Sequence, residues 1–261
     1  EECEAERRRV RVSVAGGERE ECEAERRRAL RRRGGHHRKH EKSAASFAAR
    51  STWPTEAMPV SKRKYNGLDA IVLDDGTSEV IVTIYAAHVV SWSTAAGEQL
   101  FVSSAAEYGG GKAVRGGIPI CWPQFAARGP GGKHGFCRNS AKWTVVRTTE
   151  APFPCVVFGL ADDEATKADY PHSFSLRYSV TLDGPNSVST AMQVQNTGEA
   201  PLEFTGALHT YFKVGDATGV KFQGLQGVTY EDSAAGGTAG VQEEAHLGVA
   251  GELDRIYFKT P

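Results

Sequence analysis

Asp69 to Tyr85 reads DAIVLDDGTSEVIVTIY, two apolar runs separated by Asp74-Asp75-Gly76. Ala70 to Leu73 and Val80 to Tyr85 are short and rich in β-branched residues, and an Asp-Asp-Gly step is a turn signal, so the stretch predicts two strands joined by a turn. Moving toward the C-terminus, the same grammar continues. Trp143 to Arg147, Cys155 to Leu160, Ser173 to Leu182 closed by Asp183-Gly184, and Ser187 to Asn196 closed by Thr197-Gly198 each read as a strand. No segment of this body carries a long apolar period of 3.6 residues, so helices are expected to be minor. Regular short strands with Gly, Asn and Asp punctuation predict an all-β sandwich or barrel.

Moving toward the N-terminus, the patterning fades near Met58. Glu1 to Arg9 and Glu20 to Arg28 both read EECEAERRR, and the segment runs on through Arg31, Arg32, Arg33, His36, His37 and His40 with almost nothing apolar. Two copies make no solenoid. Such a composition cannot offset chain entropy, so residues 1–57 are expected to be a charged, disordered leader and residues 58–261 the folded domain. Residues 26–54 hold many arginines, three serines and Glu41 as their one acid, a composition similar to an organellar transit peptide. A solvated tail or a non-native leader is the reading preferred.

The formal charge of -1 hides an uneven split, for residues 1–58 carry 15 basic and 11 acidic side chains and the rest 16 and 21. An acidic body argues against nucleic acid as a partner, which needs a clustered basic surface. Cys3, Cys22, Cys121, Cys137 and Cys155 are an odd number without a CxxC pair, so neither a disulfide framework nor a thiolate zinc site is suggested. With no run of eighteen apolar residues, no membrane partner is expected, and the chain reads as a soluble cytoplasmic protein, with an organelle as the alternative if the leader is a targeting signal.

Chemistry concentrates in Lys112 to Asn139, KAVRGGIPICWPQFAARGPGGKHGFCRN. Glycines let a backbone approach a ligand, and cations in a loop meet an anion, so Arg115, Gln124, Arg128, Lys133, His134 and Arg138 suggest a site for a small phosphorylated or carboxylated molecule. The order of a nucleotide P-loop is absent. A second feature is Gly206 to Phe212, where His209 sits in an apolar and aromatic run read as a strand. Alone it would be a core histidine; paired with a loop histidine it becomes a candidate acid, since histidine titrates near neutrality. The third, Leu253-Asp254-Arg255-Ile256-Tyr257, reads on its own as an edge strand with an ion pair.

The RGGIP, HGFCRN, LHTYF and DRIY blocks, in this order, resemble the hexose-6-phosphate mutarotases, or glucose-6-phosphate 1-epimerases, of the galactose-mutarotase-like superfamily, over about Asn66 to Pro261. The resemblance implies a two-sheet antiparallel β-sandwich that interconverts the α and β anomers of a hexose 6-phosphate, glucose 6-phosphate above all, as a monomer without metal or organic cofactor. It implies His209 as catalytic acid, His134 beside it orienting a sugar oxygen, Arg115 and Arg138 on the phosphate or sugar, and Asp254 on a sugar hydroxyl. Lys133 stands where the family usually has Gln, and a further charge contact with phosphate follows. Family members continue past DRIY into strands that carry the catalytic glutamate, so the expectation is a sandwich without its C-terminal strands. Glu243, Glu244 and Glu252 fit no family motif. The alternative function is therefore a sugar-phosphate-binding module without turnover, and a second rival is an anionic-surface tether through Arg26 to Lys42.

Overall fold

The computed structural model describes residues 10–13, 59–184 and 186–260. Its strands are β1 (Val10–Ser13), β2 (Val60–Tyr65), β3 (Leu68–Asp74), β4 (Glu79–Thr83), β5 (His88–Thr94), β6 (Gly97–Glu98), β7 (Ile120–Cys121), β8 (Thr144–Thr149), β9 (Cys155–Ala161), β10 (Phe174–Gly184) and β11 (Ser187–Asn196). Then come β12 (Ala207–Leu208), β13 (Lys221–Gln223), β14 (Thr229–Asp232), β15 (Thr238–Val241), β16 (His246–Gly248) and β17 (Arg255–Tyr257). Among the described residues the α-helix is a single short one, α1 (Glu164–Asp169), capped by Asp163. The all-β expectation holds.

Two five-stranded sheets carry the fold, ordered β2-β3-β4-β5-β6 and β1-β11-β10-β9-β8. Apart from β1, which runs parallel to β11, neighbours in both are antiparallel. The opening stretch forms β3 and β4, because Asp75 Oδ1 accepts the amides of Thr77 and Ser78 at 2.8 Å and Gly76 takes φ +82°, but β4 ends at Thr83, short of the expected Tyr85, which opens a tight turn. Inward-pointing residues of the two sheets meet in one core. Ile71, Leu73, Val80 and Val82 from the first join Val156, Phe158, Leu176, Tyr178 and Val180 from the second, all nearly solvent-free. Each such aliphatic or aromatic side chain contributes about 1.5–3 kcal/mol by leaving water, and the alternation along β10 follows from the two-residue period of a strand.

A smaller cluster, Ala70, Ile81, Val90 and Val114, lies apart from that core, with Val102, Ala106 and Tyr108 against it. Strand β2, VSKRKY, was not read from the sequence, since its four middle residues, three of them charged, are all exposed and show no apolar alternation. It is an exposed edge strand, where charge discourages pairing with other chains. Of the expected leader, Val10–Ser13 alone falls among the described residues, and the remainder of that expectation lies outside them.

By its contacts the chain divides after Tyr211 into two compact units. In the second unit, β14 pairs with β15 and β17, and β13 with β16. Gln242, almost fully buried, accepts a hydrogen bond from the Tyr257 hydroxyl at 2.8 Å, while Arg255 pairs with Asp232 and lies 4.1 Å over the Tyr230 ring. No described helix is long and apolar enough to cross a membrane.

Candidate active site

The segment from Arg115 to Asn139 has little regular structure, so something other than a ladder must hold it. Trp122 is its anchor. The indole is wholly buried and makes edge contacts with Phe136, Tyr170 and Phe174, the last at 4.6 Å between centroids. From there the chain doubles back, and the Phe136 amide reaches Trp122 O at 3.1 Å. Gly135 sits against that carbonyl with φ +65°, and a Cβ there would stand 2.1 Å from Trp122 O. Only glycine fits such an approach without displacing backbone. Gln124, also buried, braces the intervening loop by accepting from the Gly131 amide at 2.8 Å and donating to Gly131 O at 3.1 Å. Its part in the candidate cluster is therefore structural.

The Arg115-Gly116-Gly117 turn is threaded just as tightly. Ser103 N donates to Arg115 O, Gly117 N to Phe101 O, and Tyr211 N to Gly117 O, all within 3.0 Å. A Cβ on Gly117 would meet Val89 O at 2.2 Å, so the turn is glycine for want of space as well as for its φ of +64°. Arg115 itself projects into solvent.

His134 and His209 come together edge to face, their ring centroids 5.7 Å apart. Strand β12 stops at Leu208, so His209 is not within a strand as expected; its amide instead donates to Pro119 O at 3.0 Å and its ring stacks on Tyr211 at 4.8 Å. Phe125 completes an aromatic wall, 5.2 Å from His134 and 6.3 Å from His209. Sequence reasoning passed over Phe125 and Tyr211, although both stand inside the motifs already singled out.

The two histidines are not equivalent. His134 Nδ1 accepts the Ala126 amide at 3.1 Å, which leaves the ring proton of the neutral form on Nε2. Burial first, then the positive charges of Arg138, His209 and Lys133, hold its pKa below the ordinary histidine value, so it is neutral at pH 7. Arg138 is fixed by donating from Nη2 to Lys133 O at 2.9 Å, and its Nε is buried without a partner among the described residues. Lys133 is exposed. The structure thus gathers His134, His209, Arg138 and Lys133, and ties the Arg115 turn to the His209 segment through backbone bonds. Asp254 lies in the second unit, exposed, with its carbonyl accepting from Ser233 N at 2.7 Å. The ion pair expected at the DRIY block runs from Arg255 to Asp232 instead.

Buried Cys121, with its thiol pKa pushed up to about 11, and buried Cys137 stay protonated and are not nucleophiles. A cavity of about 270 Å³ opens beside the loop, lined by Gln124, Arg128, Asp169, Tyr170, Glu203 and Phe204 among others. Neither histidine lines it, so the acid-base candidates lie elsewhere.

Comparison with known proteins gives the family and the fold. The family described as Aldose 1-epimerase matches residues 69–261. A protein of Escherichia coli named "Putative glucose-6-phosphate 1-epimerase" is 33% identical over 203 residues, covering 76% of this chain and 66% of its own length. One of the same name from Cenchrus ciliaris is 32% identical, over 75% of this chain and 62% of its own. The chain thus spans somewhat less than two thirds of the length of these relatives. Among solved structures, one described as a "putative mutarotase (YeaD)" from Salmonella typhimurium superimposes with a TM-score of 0.70 at 29% identity, covering 79% of this chain and 68% of that one. Slr1438 of Synechocystis, at 19% identity and a TM-score of 0.66 over 80% of this chain and 74% of its own, shares the fold. The chain belongs to the aldose 1-epimerase family.

Proposed function

We propose that the protein interconverts the α and β anomers of a hexose 6-phosphate, with glucose 6-phosphate as the substrate. The observation that carries this reading is the His134–His209 pair standing beside Arg138 and Lys133. Sugar ring opening needs a proton donor that works near neutral pH, and a phosphate needs cations. Both are within one small region.

His209 gives a proton to the ring oxygen while the catalytic glutamate that the family resemblance implies takes the proton of the C1 hydroxyl; the C1–O5 bond breaks and C1 becomes an aldehyde. Rotation about C1–C2 and the reverse transfers close the ring on the other face. Protons are transferred and the C1–O5 bond opens and closes with no net change of oxidation state, so the reaction as written requires no cofactor. His134, neutral and with its proton on Nε2, donates a hydrogen bond to a sugar oxygen and leaves the acid role to His209. Arg115, Arg138 and Lys133 hold the phosphate, whose binding energy orients the distant anomeric carbon.

Anomer exchange of glucose 6-phosphate, followed by saturation-transfer NMR above the enzyme-free rate, tests the proposal. His209→Asn should slow exchange by ~10²- to 10⁴-fold, the usual worth of a general acid. Undiminished exchange in that variant would remove His209 from the chemistry.

A further inference from the structure

A corner that touches neither histidine connects the two arginine-bearing turns. Between β4 and β5 the chain makes a single tight turn at Tyr85–Ala87, in which Ala86 and Ala87 adopt φ of +63° and +46° although neither is glycine. Both are fully buried. Residues with side chains persist in this conformation only where the surroundings impose it, and such strain gathers at functional sites.

Each flank of the corner reaches a different loop. His88, wholly buried, places Nε2 2.7 Å from Gly116 O, directly after Arg115. Burial keeps that ring neutral with a pKa of about 4, so the contact is an Nε2–H donated to the carbonyl. Tyr85 Oη lies 3.0 Å from Asn139 O, one residue past Arg138, and 2.8 Å from Lys112 O, and the Ala86 amide donates at 2.9 Å to Ser140 O, two residues past Arg138. The Cys137–Asn139 turn is held from its other side by Trp143, whose Nε1 donates to Cys137 O.

We infer that the Tyr85–His88 corner is a positioning device for the phosphate grip: His88 sets the Arg115 turn, Tyr85 and the Ala86 amide set the Arg138 turn, and their rigid connection fixes the spacing of the two guanidinium groups. This rests on the phosphate role proposed above for Arg115 and Arg138. Neither Tyr85 nor His88 touches substrate; both act through the arginines. The same threading reaches the acid, because Gly117 O, one residue past the His88 contact, holds the Tyr211 amide beside His209.

The experiment titrates the full chain and its variants with glucose 6-phosphate, inorganic phosphate and glucose, alongside anomer exchange. Tyr85→Phe and His88→Phe should each weaken glucose 6-phosphate and phosphate binding about tenfold, equivalent to ~1.4 kcal/mol, while glucose binding stays near that of the unaltered chain. His88→Gln, whose amide reaches the same carbonyl, should restore most of the affinity. On an Arg115→Ala background, His88→Phe should add no further loss of phosphate binding, since a residue acting through another is silent once that partner is gone. Equal losses for glucose and glucose 6-phosphate, or additive effects of His88→Phe and Arg115→Ala, would overturn the inference. Should His88→Phe fail to fold, Tyr85→Phe on an Arg138→Ala background decides the matter by the same criterion. No binding of glucose 6-phosphate by the unaltered chain would instead overturn the function, and the inference with it.

Discussion

The two five-stranded sheets and the Arg115–Asn139 segment are held by different physics. In the sheets, inward side chains recur every second residue and are stabilised by leaving water, so no single residue is indispensable to the register. The segment has almost no ladder. It is held by one buried indole, by glycines that fit where a Cβ would strike backbone, and by side-chain bonds from Gln124, His88 and Tyr85 to carbonyls and amides. Damage to the sheets should therefore appear as lost stability, and damage to the braces as lost ligand geometry.

The sharpest break on the sheet side is Phe158→Ala. Phe158 is fully buried in β9 between Val145 and Tyr178, so its removal leaves a cavity across the core and should cost ~3–5 kcal/mol in chemical denaturation. Ligand affinity of the remaining folded protein should change little.

Acid tests the brace side. His88 has a folded-state pKa of about 4, below the ordinary 6.5. The unfolded chain takes up a proton as pH falls through 6.5 that the folded chain refuses until about 4. Its contribution is thus fully present above pH 6.5 and is lost on acidification, by up to ~3 kcal/mol at pH 4. His134, shifted the same way, adds to the same slope. Denaturation curves across this range should flatten in His88→Gln; an unchanged slope would show that His88 is not held neutral.

Arg138→Ala should weaken glucose 6-phosphate binding by roughly 1.5–3 kcal/mol, the worth of a charged hydrogen bond, and glucose binding far less. Equal losses would take the arginine off the phosphate. The smallest effect expected belongs to the Arg63–Glu79 pair across the exposed face of the first sheet, bonded at 2.9 Å but with both side chains substantially in solvent. Arg63→Ala should cost less than about 1 kcal/mol and should lose even that in high salt.

Much of this protein was determined by its sequence alone. Strands β3, β4 and β8 to β11 follow from short apolar, β-branched runs and from the Asp-Gly and Thr-Gly turn signals beside them, both of which are local. The sequence also offered His134, His209, Arg138 and Lys133 as site candidates, which the fold brings together, but not the Phe125 and Tyr211 rings that stand against the histidines. Other things were settled only by tertiary structure. That His209 lies beyond a strand end, that His134 keeps its proton on Nε2, and that Arg255 pairs with Asp232 rather than Asp254 all depend on which backbone groups arrive nearby from distant parts of the chain. His88 is the clearest case. In the sequence it is one polar residue in an apolar run, and its meaning comes from a carbonyl 28 residues away, brought within hydrogen-bonding distance only when the turn threads behind the sheet.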